Sequence, residues 1–279
     1  MKIALCNEVL QPMPFAKQCE FAKQVGYDGL ELAPFTFADE PHLLIPAERT
    51  AIRRAAREAG IDITGLHWLL LTPRGLSITS ADDAVRNRTV EIMLRLVDLC
   101  HDVGGKVMVH GSPAQRAIPP GESREAALGR AKDCFARVAN YAATAGLVYC
   151  IEPLARTETQ LINTLAEAAE IVDEIGSPAL RTMIDTSAAG RGEAEPVAAL
   201  IDRWMPTGHL AHVQVNDRNR RGPGEGEDRF APVFAALRRH GYAGVVAVEP
   251  VKYLPDGQAT AARAAGYIRG ILESLDGAG

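Results

Sequence analysis

The sequence has no CxxC pair, no excess of positive charge and no apolar stretch of membrane-spanning length, and each absence removes a class of function. Its five cysteines, Cys6, Cys19, Cys100, Cys134 and Cys150, are scattered and odd in number. That pattern reads as reduced packing residues of a cytoplasmic protein and not as a disulfide or zinc framework. The net charge is −5 and the pI about 5.8, which argues against a binder of phosphate backbones, so nucleic acid is not an expected partner. No run reaches the ~20 apolar residues that a membrane helix needs. The start, Met1-Lys2 followed by Ile3–Cys6, has too short an apolar run for a signal-peptide core and no cleavage-site pattern. No GxGxxG follows the first strand, and the glycine-rich Gly222–Gly226 lacks the Gly-Lys-Ser/Thr ending of a Walker motif. The last residues, Leu275–Gly279, read as a frayed end.

What is present is an alternation. Apolar, β-branched runs at Lys2–Asn7, Tyr27–Leu32, Ile61–Leu66, Lys106–His110, Val148–Ile151, Leu180–Asp185, Leu210–Asn216 and Val245–Glu249 read as strands of the buried, parallel kind. Amphipathic or capped helices are expected over 14–25, 46–59, 80–103, 123–145, 165–175, 195–204, 228–240 and 258–274. Ser80–Asp83 caps the third of these, and Thr164-Leu-Ala-Glu167 reads as a capping box for the fifth. Gly26, Gly60, Gly104, Gly146, Gly176 and Gly241 stand where helices stop, the place for a left-handed C′ residue. Eight strand–helix repeats in 279 residues, with no linker between them, predict one (β/α)8 TIM-barrel domain and not an open doubly wound sheet.

Four polar residues stand at or near the ends of the last four strands: Glu152, Asp185, Gln214 and Glu249. They lie 33, 29 and 35 residues apart, each about one repeat, so a barrel would gather them on its catalytic rim. Pro153 and Pro250 each stop a strand just after a glutamate. Two glutamates, an aspartate and an amide oxygen form a hard donor set, suited to one divalent ion, Mn²⁺ first and Mg²⁺ or Co²⁺ next. His212 shares a strand face with Gln214, so either residue offers the strand-seven ligand. His67 and His110, ending strands three and four, are expected at the pocket, against a buried structural role for each. Glu31 at strand two is similarly ambiguous. Phe35, Phe37 and Trp68 are candidates to wall the site, with core packing the more usual fate of such aromatics.

The residues also carry a resemblance. EPLARTETQLINT at 152–164, GSPAQR at 111–116 and QVNDRNRRGPGEG at 214–226 resemble the xylose isomerase-like TIM barrels. The branch is that of the D-tagatose 3-epimerase, L-ribulose 3-epimerase and hydroxypyruvate isomerase-like enzymes. In that register the family's metal ligands fall on Glu152, Asp185, Gln214 and Glu249. Its two catalytic carboxylates fall on Glu152 and Glu249, and its substrate-contacting residues on Glu158 and Arg220. The resemblance also implies a homo-oligomer, a dimer or tetramer. This chain departs at Gln214, where the epimerases carry histidine, at Ala188, where they carry a substrate-contacting histidine, and at Ala155, where they carry asparagine.

The expected chemistry is removal of a proton next to the carbonyl of a small-molecule keto sugar or related polyol-derived compound. The resulting enediolate needs stabilisation by a divalent ion acting as a Lewis acid. Proton return on the opposite face gives epimerisation, and transfer to the neighbouring carbon gives isomerisation. The same site suits a lyase or dehydratase acting on a keto sugar or inosose, because enolate formation also precedes β-elimination. An apurinic endonuclease, with several zinc ions and more histidines, fits less well, as does a sugar-binding barrel without catalysis.

Overall fold

In the computed structural model, which describes residues 1–277, eight parallel strands close on themselves in sequence order. They are β1 (Lys2–Cys6), β2 (Gly29–Leu32), β3 (Asp62–Leu66), β4 (Val107–His110), β5 (Val148–Ile151), β6 (Leu180–Asp185), β7 (Leu210–Val215) and β8 (Val245–Val248). Hydrogen bonding between β1 and β8, with Lys2 opposite Val245, completes the (β/α)8 TIM barrel. The helices are α1 (Phe15–Val25), α2 (Pro46–Ala59), α3 (Asp83–Val103), α4 (Arg124–Thr144), α5 (Leu165–Ile175), α6 (Thr186–Gly192), α7 (Val197–Trp204), α8 (Ala231–Arg239) and α9 (Gly257–Asp276).

The expected elements are all found, with ends displaced by a few residues. The strand expected over Lys2–Asn7 ends at Cys6, and Asn7 opens a 3-10 turn. Asn7 is buried there because its amide is used locally: Oδ1 accepts from Ala33 N (2.7 Å), and Nδ2 donates to Gln18 and Thr36. At the start of α3 the cap is Asp82, whose carboxylate accepts from Ala84 N. At α5, Thr164 Oγ1 accepts from Glu167 N as a capping box requires, but Glu167 takes the N–H of Asn163 instead of Thr164. The six glycines expected at helix stops all have positive φ. At Gly26 (φ 102°) the turn brings its N–H back to the carbonyls of Ala22 and Lys23.

Two expectations change. Helix α6 does not follow from apolar periodicity; it exists because Asp185, the last residue of β6, caps it, Oδ1 accepting from Ala188 N (2.6 Å). Leu275 and Asp276, expected to fray, are the end of α9, while 278–279 lie outside the described residues.

The main apolar core lies between barrel and helices, and Val109, Cys150 and Met183 form a small cluster apart from it. Cys150 and Met183 stand two residues before Glu152 and Asp185, so strand alternation gives each pair one face. All five cysteines are buried and unpaired. No helix among the described residues is long and apolar enough to cross a membrane.

Candidate metal and proton-transfer site

Parallel strands deliver their C-terminal ends to one rim, where Glu152, Asp185 and Glu249 meet. Their carboxylate oxygens come within 4.8 Å of one another, and the three residues are only 4–8 % exposed. They share a cleft with His67, Trp68, Glu158, Arg191 and Arg220 among its walls. Burial, and then the charge of its neighbours, raises each carboxyl: Glu152 and Asp185 go well above the usual carboxylate range. Glu249 is raised less, because burial is opposed by His67, whose Nδ1 lies 3.2 Å from its Oε1. His67 Nε2 reaches Glu8 Oε2 at 3.0 Å, so the ring bridges two carboxylates.

Backbone contacts aim these groups. Arg116, fully buried, donates from Nη1 to the carbonyl of Glu152 (2.8 Å). Gly111 lies directly against the Glu152 carboxylate, and a Cβ there would overlap Oε2. Asn216 donates to the carbonyl of Glu249 (2.8 Å) and accepts from Ser187 N (3.0 Å), tying β7, α6 and the end of β8 together. None of Gly111, Arg116 and Asn216 was singled out as a site residue. The readable signal was the GSPAQR loop, which places a glycine and an arginine just after β4, beside the acid that follows β5.

Glu158 sits between two guanidiniums, 3.0 Å from Arg191 Nη2 and 3.6 Å from Arg220 Nη2. Among the described residues, Trp68 (φ 50°) and Arg220 (φ 69°) are two of the three non-glycine residues with left-handed backbone, and both line the cleft. Such a conformation costs on the order of 1–3 kcal/mol and persists only where surrounding contacts impose it. For Arg220 those contacts are its N–H to Asp217 O (2.6 Å) and its carbonyl accepting from Val251 N and Lys252 N.

The other expected residues lie elsewhere. His110 does not line the cleft. Its Nδ1 is 2.7 Å from the Tyr149 hydroxyl, and its ring stands edge-on to Phe135, in the packed interior. Burial, with Arg116 nearby, lowers its pKa to about 3, so the ring is neutral. Phe37 packs on Phe15 against the core. His212 and Gln214 do share one face of β7, but that face turns to Glu31 on β2. His212 Nε2 is 2.7 Å from Glu31 Oε2, and Gln214 Nε2 donates to Glu31 Oε1 (2.7 Å). Burial would raise Glu31, but His212 and the Gln214 amide bring it down to about 2.

A divalent ion fits these residues. Three buried carboxyls crowd together, and among the described residues neither Asp185 Oδ2 nor Gln214 Oε1 in the neighbouring strand has a hydrogen-bond partner. In the ladder Gln214 stands opposite Asp185. Unsatisfied buried oxygens are costly, and a hard cation relieves both that cost and the repulsion.

Residues 19–271 match the profile of the family described as xylose isomerase-like TIM barrel. A D-psicose 3-epimerase of Agrobacterium fabrum is 28% identical over 240 residues, covering 85% of this chain and 79% of its own. A 3-dehydro-D-guloside 4-epimerase of Escherichia coli is 27% identical over 260 residues, covering 89% and 92%. Among solved structures, an L-ribulose 3-epimerase superposes with a TM-score of 0.83 at 24% identity, over 98% of this chain and 95% of that one.

Proposed function

The chain belongs to the xylose isomerase-like TIM barrel family, and from that premise we propose a metal-dependent sugar isomerase or epimerase acting on a keto sugar or related polyol-derived carbonyl compound. One observation carries the reading: Glu152, Asp185 and Glu249 converge in a single buried cleft beside unsatisfied oxygens. Relatives described as ketose, psicose and ribulose 3-epimerases support the sugar-epimerase class. The holders of the ion are Glu152, Asp185, Glu249 and the amide oxygen of Gln214, and Mn²⁺ suits them best, ahead of Mg²⁺ and Co²⁺. When bound, the ion supplies Lewis-acid stabilisation of charge developing on the substrate oxygens.

The chain's own groups move the proton. Glu152 follows β5 and Glu249 follows β8, so the two carboxylates flank a substrate in the cleft from different sides. One takes the proton from the carbon beside the carbonyl, and the other gives a proton to the opposite face. Each carboxyl is protonated in one half-reaction and ionised in the other. His67 holds the Glu249 carboxylate from behind. Glu158 and Arg220 offer an acceptor and a donor to substrate hydroxyls and oxygens, and Trp68, Leu154 and Val251 give the cleft its apolar wall. In the same reading the enzyme is a cytoplasmic dimer or tetramer.

The test is a panel of ketoses, keto-glycosides and inososes with Mn²⁺, followed by NMR in D₂O. Deuterium entering next to the carbonyl, with an isomeric product of conserved mass, is the expected result. Loss of water or of a glycosyl group would move the assignment to a lyase. A metal-loaded chain that exchanges no substrate proton across the panel would sink the reading.

A further inference from the structure

Glu31 is fully buried inside the barrel and takes no part in the proton transfer described above. Its neighbours are specific. Oε1 accepts from Gln214 Nε2 at 2.7 Å and lies 3.8 Å from Cys6 Sγ, while Oε2 lies 2.7 Å from His212 Nε2. Gln214 is also fully buried, so no water competes for its amide.

An amide has two unlike ends of nearly equal size. The oxygen ligates a hard cation, and the NH₂ repels one. With nothing to choose between them, a buried glutamine would present the wrong end part of the time. A carboxylate beside imidazole only accepts, so Glu31 draws the NH₂ toward itself and turns the oxygen away. The oxygen so turned has no partner among the described residues, and Gln214 stands opposite Asp185, whose Oδ2 is likewise free. We infer that Glu31 is a positioning residue: it fixes the Gln214 amide so that its oxygen, not its nitrogen, is offered to the divalent ion. This rests on the metal-site reading given above.

The role explains how an amide serves at a ladder position beside an acid. A neutral side chain adds less attraction for a cation than a charged one, so its contribution depends on correct orientation. Outer partners that orient a ligand typically account for 10–100-fold of metal affinity.

The test is a double-mutant cycle on the full chain, with Mn²⁺ alone as the probe and affinity read by titration calorimetry. Glu31→Gln keeps the shape but no longer dictates which end of Gln214 faces it. It is expected to weaken Mn²⁺ binding by about 10–100-fold. In a Gln214→Leu background, where there is no amide to orient, the same change is expected to alter affinity by less than about twofold, the coupling that contacting residues show. Circular dichroism checks that each variant is folded. If Glu31→Gln does not fold, Glu31→Asp, which withdraws the acceptor by one methylene, is measured in its place and is expected to show the same coupling. Equal losses in both backgrounds would show that Glu31 acts by charge or packing and overturn the inference, as would an unchanged affinity in the Gln214 chain. If the unaltered chain binds no Mn²⁺, the metal-site reading falls and this inference with it. If the unaltered chain and Glu31→Gln bind alike, only the inference falls.

Discussion

Gly111→Ala separates the site from the fold. Gly111 is not in the left-handed region, so its backbone accepts alanine without strain. The added Cβ overlaps Oε2 of Glu152, the end of a mobile side chain, so the clash is relieved by swinging the carboxylate and not by shifting strands. The cost in stability should stay near the low end of overpacking, about 1 kcal/mol. The carboxylate, however, has to retreat by about 1 Å or more, and misplacement on that scale costs about 10²-fold in turnover. Metal affinity should fall too, because Glu152 leaves a group whose oxygens now lie within 4.8 Å of each other. The assays are kcat/KM on the substrate found by the panel, Mn²⁺ titration and a urea melt. Gly129→Ala is the control: it lies inside α4, nothing stands within 4 Å of the new carbon, and helix propensity favours the change. A Gly111→Ala chain with unaltered turnover and metal affinity would refute the claim that this loop makes room for Glu152.

Three further outcomes are expected. Asp185→Ala should strip the ion, read by elemental analysis as about one divalent ion per chain before and none after; unchanged metal content would remove Asp185 from the ligands. Glu152→Gln and Glu249→Gln should each lower turnover by roughly 10²–10⁴-fold. In D₂O one variant should still exchange the substrate proton without forming product, and the roles should reverse when the product is supplied; near-normal turnover in both would end the two-base mechanism. Lastly, burial and mutual charge raise the folded-state pKa values of Glu152, Asp185 and Glu249. Without metal, the folded chain therefore holds more protons than the unfolded one, and stability should fall as pH rises from the ordinary carboxylate range through the raised values. Denaturant melts of chelator-treated protein across that range should show the decline, and added Mn²⁺ should abolish it; a metal-free chain that gains stability over the same window would contradict the shifts.

The barrel was legible because its signals are local. Buried parallel strands are continuous apolar runs, and Gly26 or Gly176 marks a helix stop whatever surrounds it. The two glutamates were legible for a related reason: a charged residue directly after such a run, followed by proline, has only the rim to occupy. What escaped depends on closure of the sheet. Glu31 and Gln214 are 183 residues apart and meet only because the strands form a ring. Arg116 reads as a loop charge until the loop folds over the end of β5 and buries it. Helix α6, with two glycines and no apolar stripe, is invisible unless Asp185 is seen as a cap as well as a strand end. His110 and His67 look alike in sequence, and only the packing of Phe135 and Tyr149 against one of them makes it interior.

The cap that Asp185 provides has a consequence for redesign. One oxygen of the acid anchors α6, and Ala188 and Arg191, three apart on that helix, both face the cleft. The mount and the tool-heads are thus separate parts. Position 188 can be enlarged, or the charge at 191 removed, while the backbone N–H that grips Asp185 stays where it is, because a main-chain group survives any side-chain exchange other than proline. A library confined to these two positions would vary the reach and charge of the cleft wall around a fixed carboxylate, which makes this short helix the natural place to retrain the barrel on a new molecule.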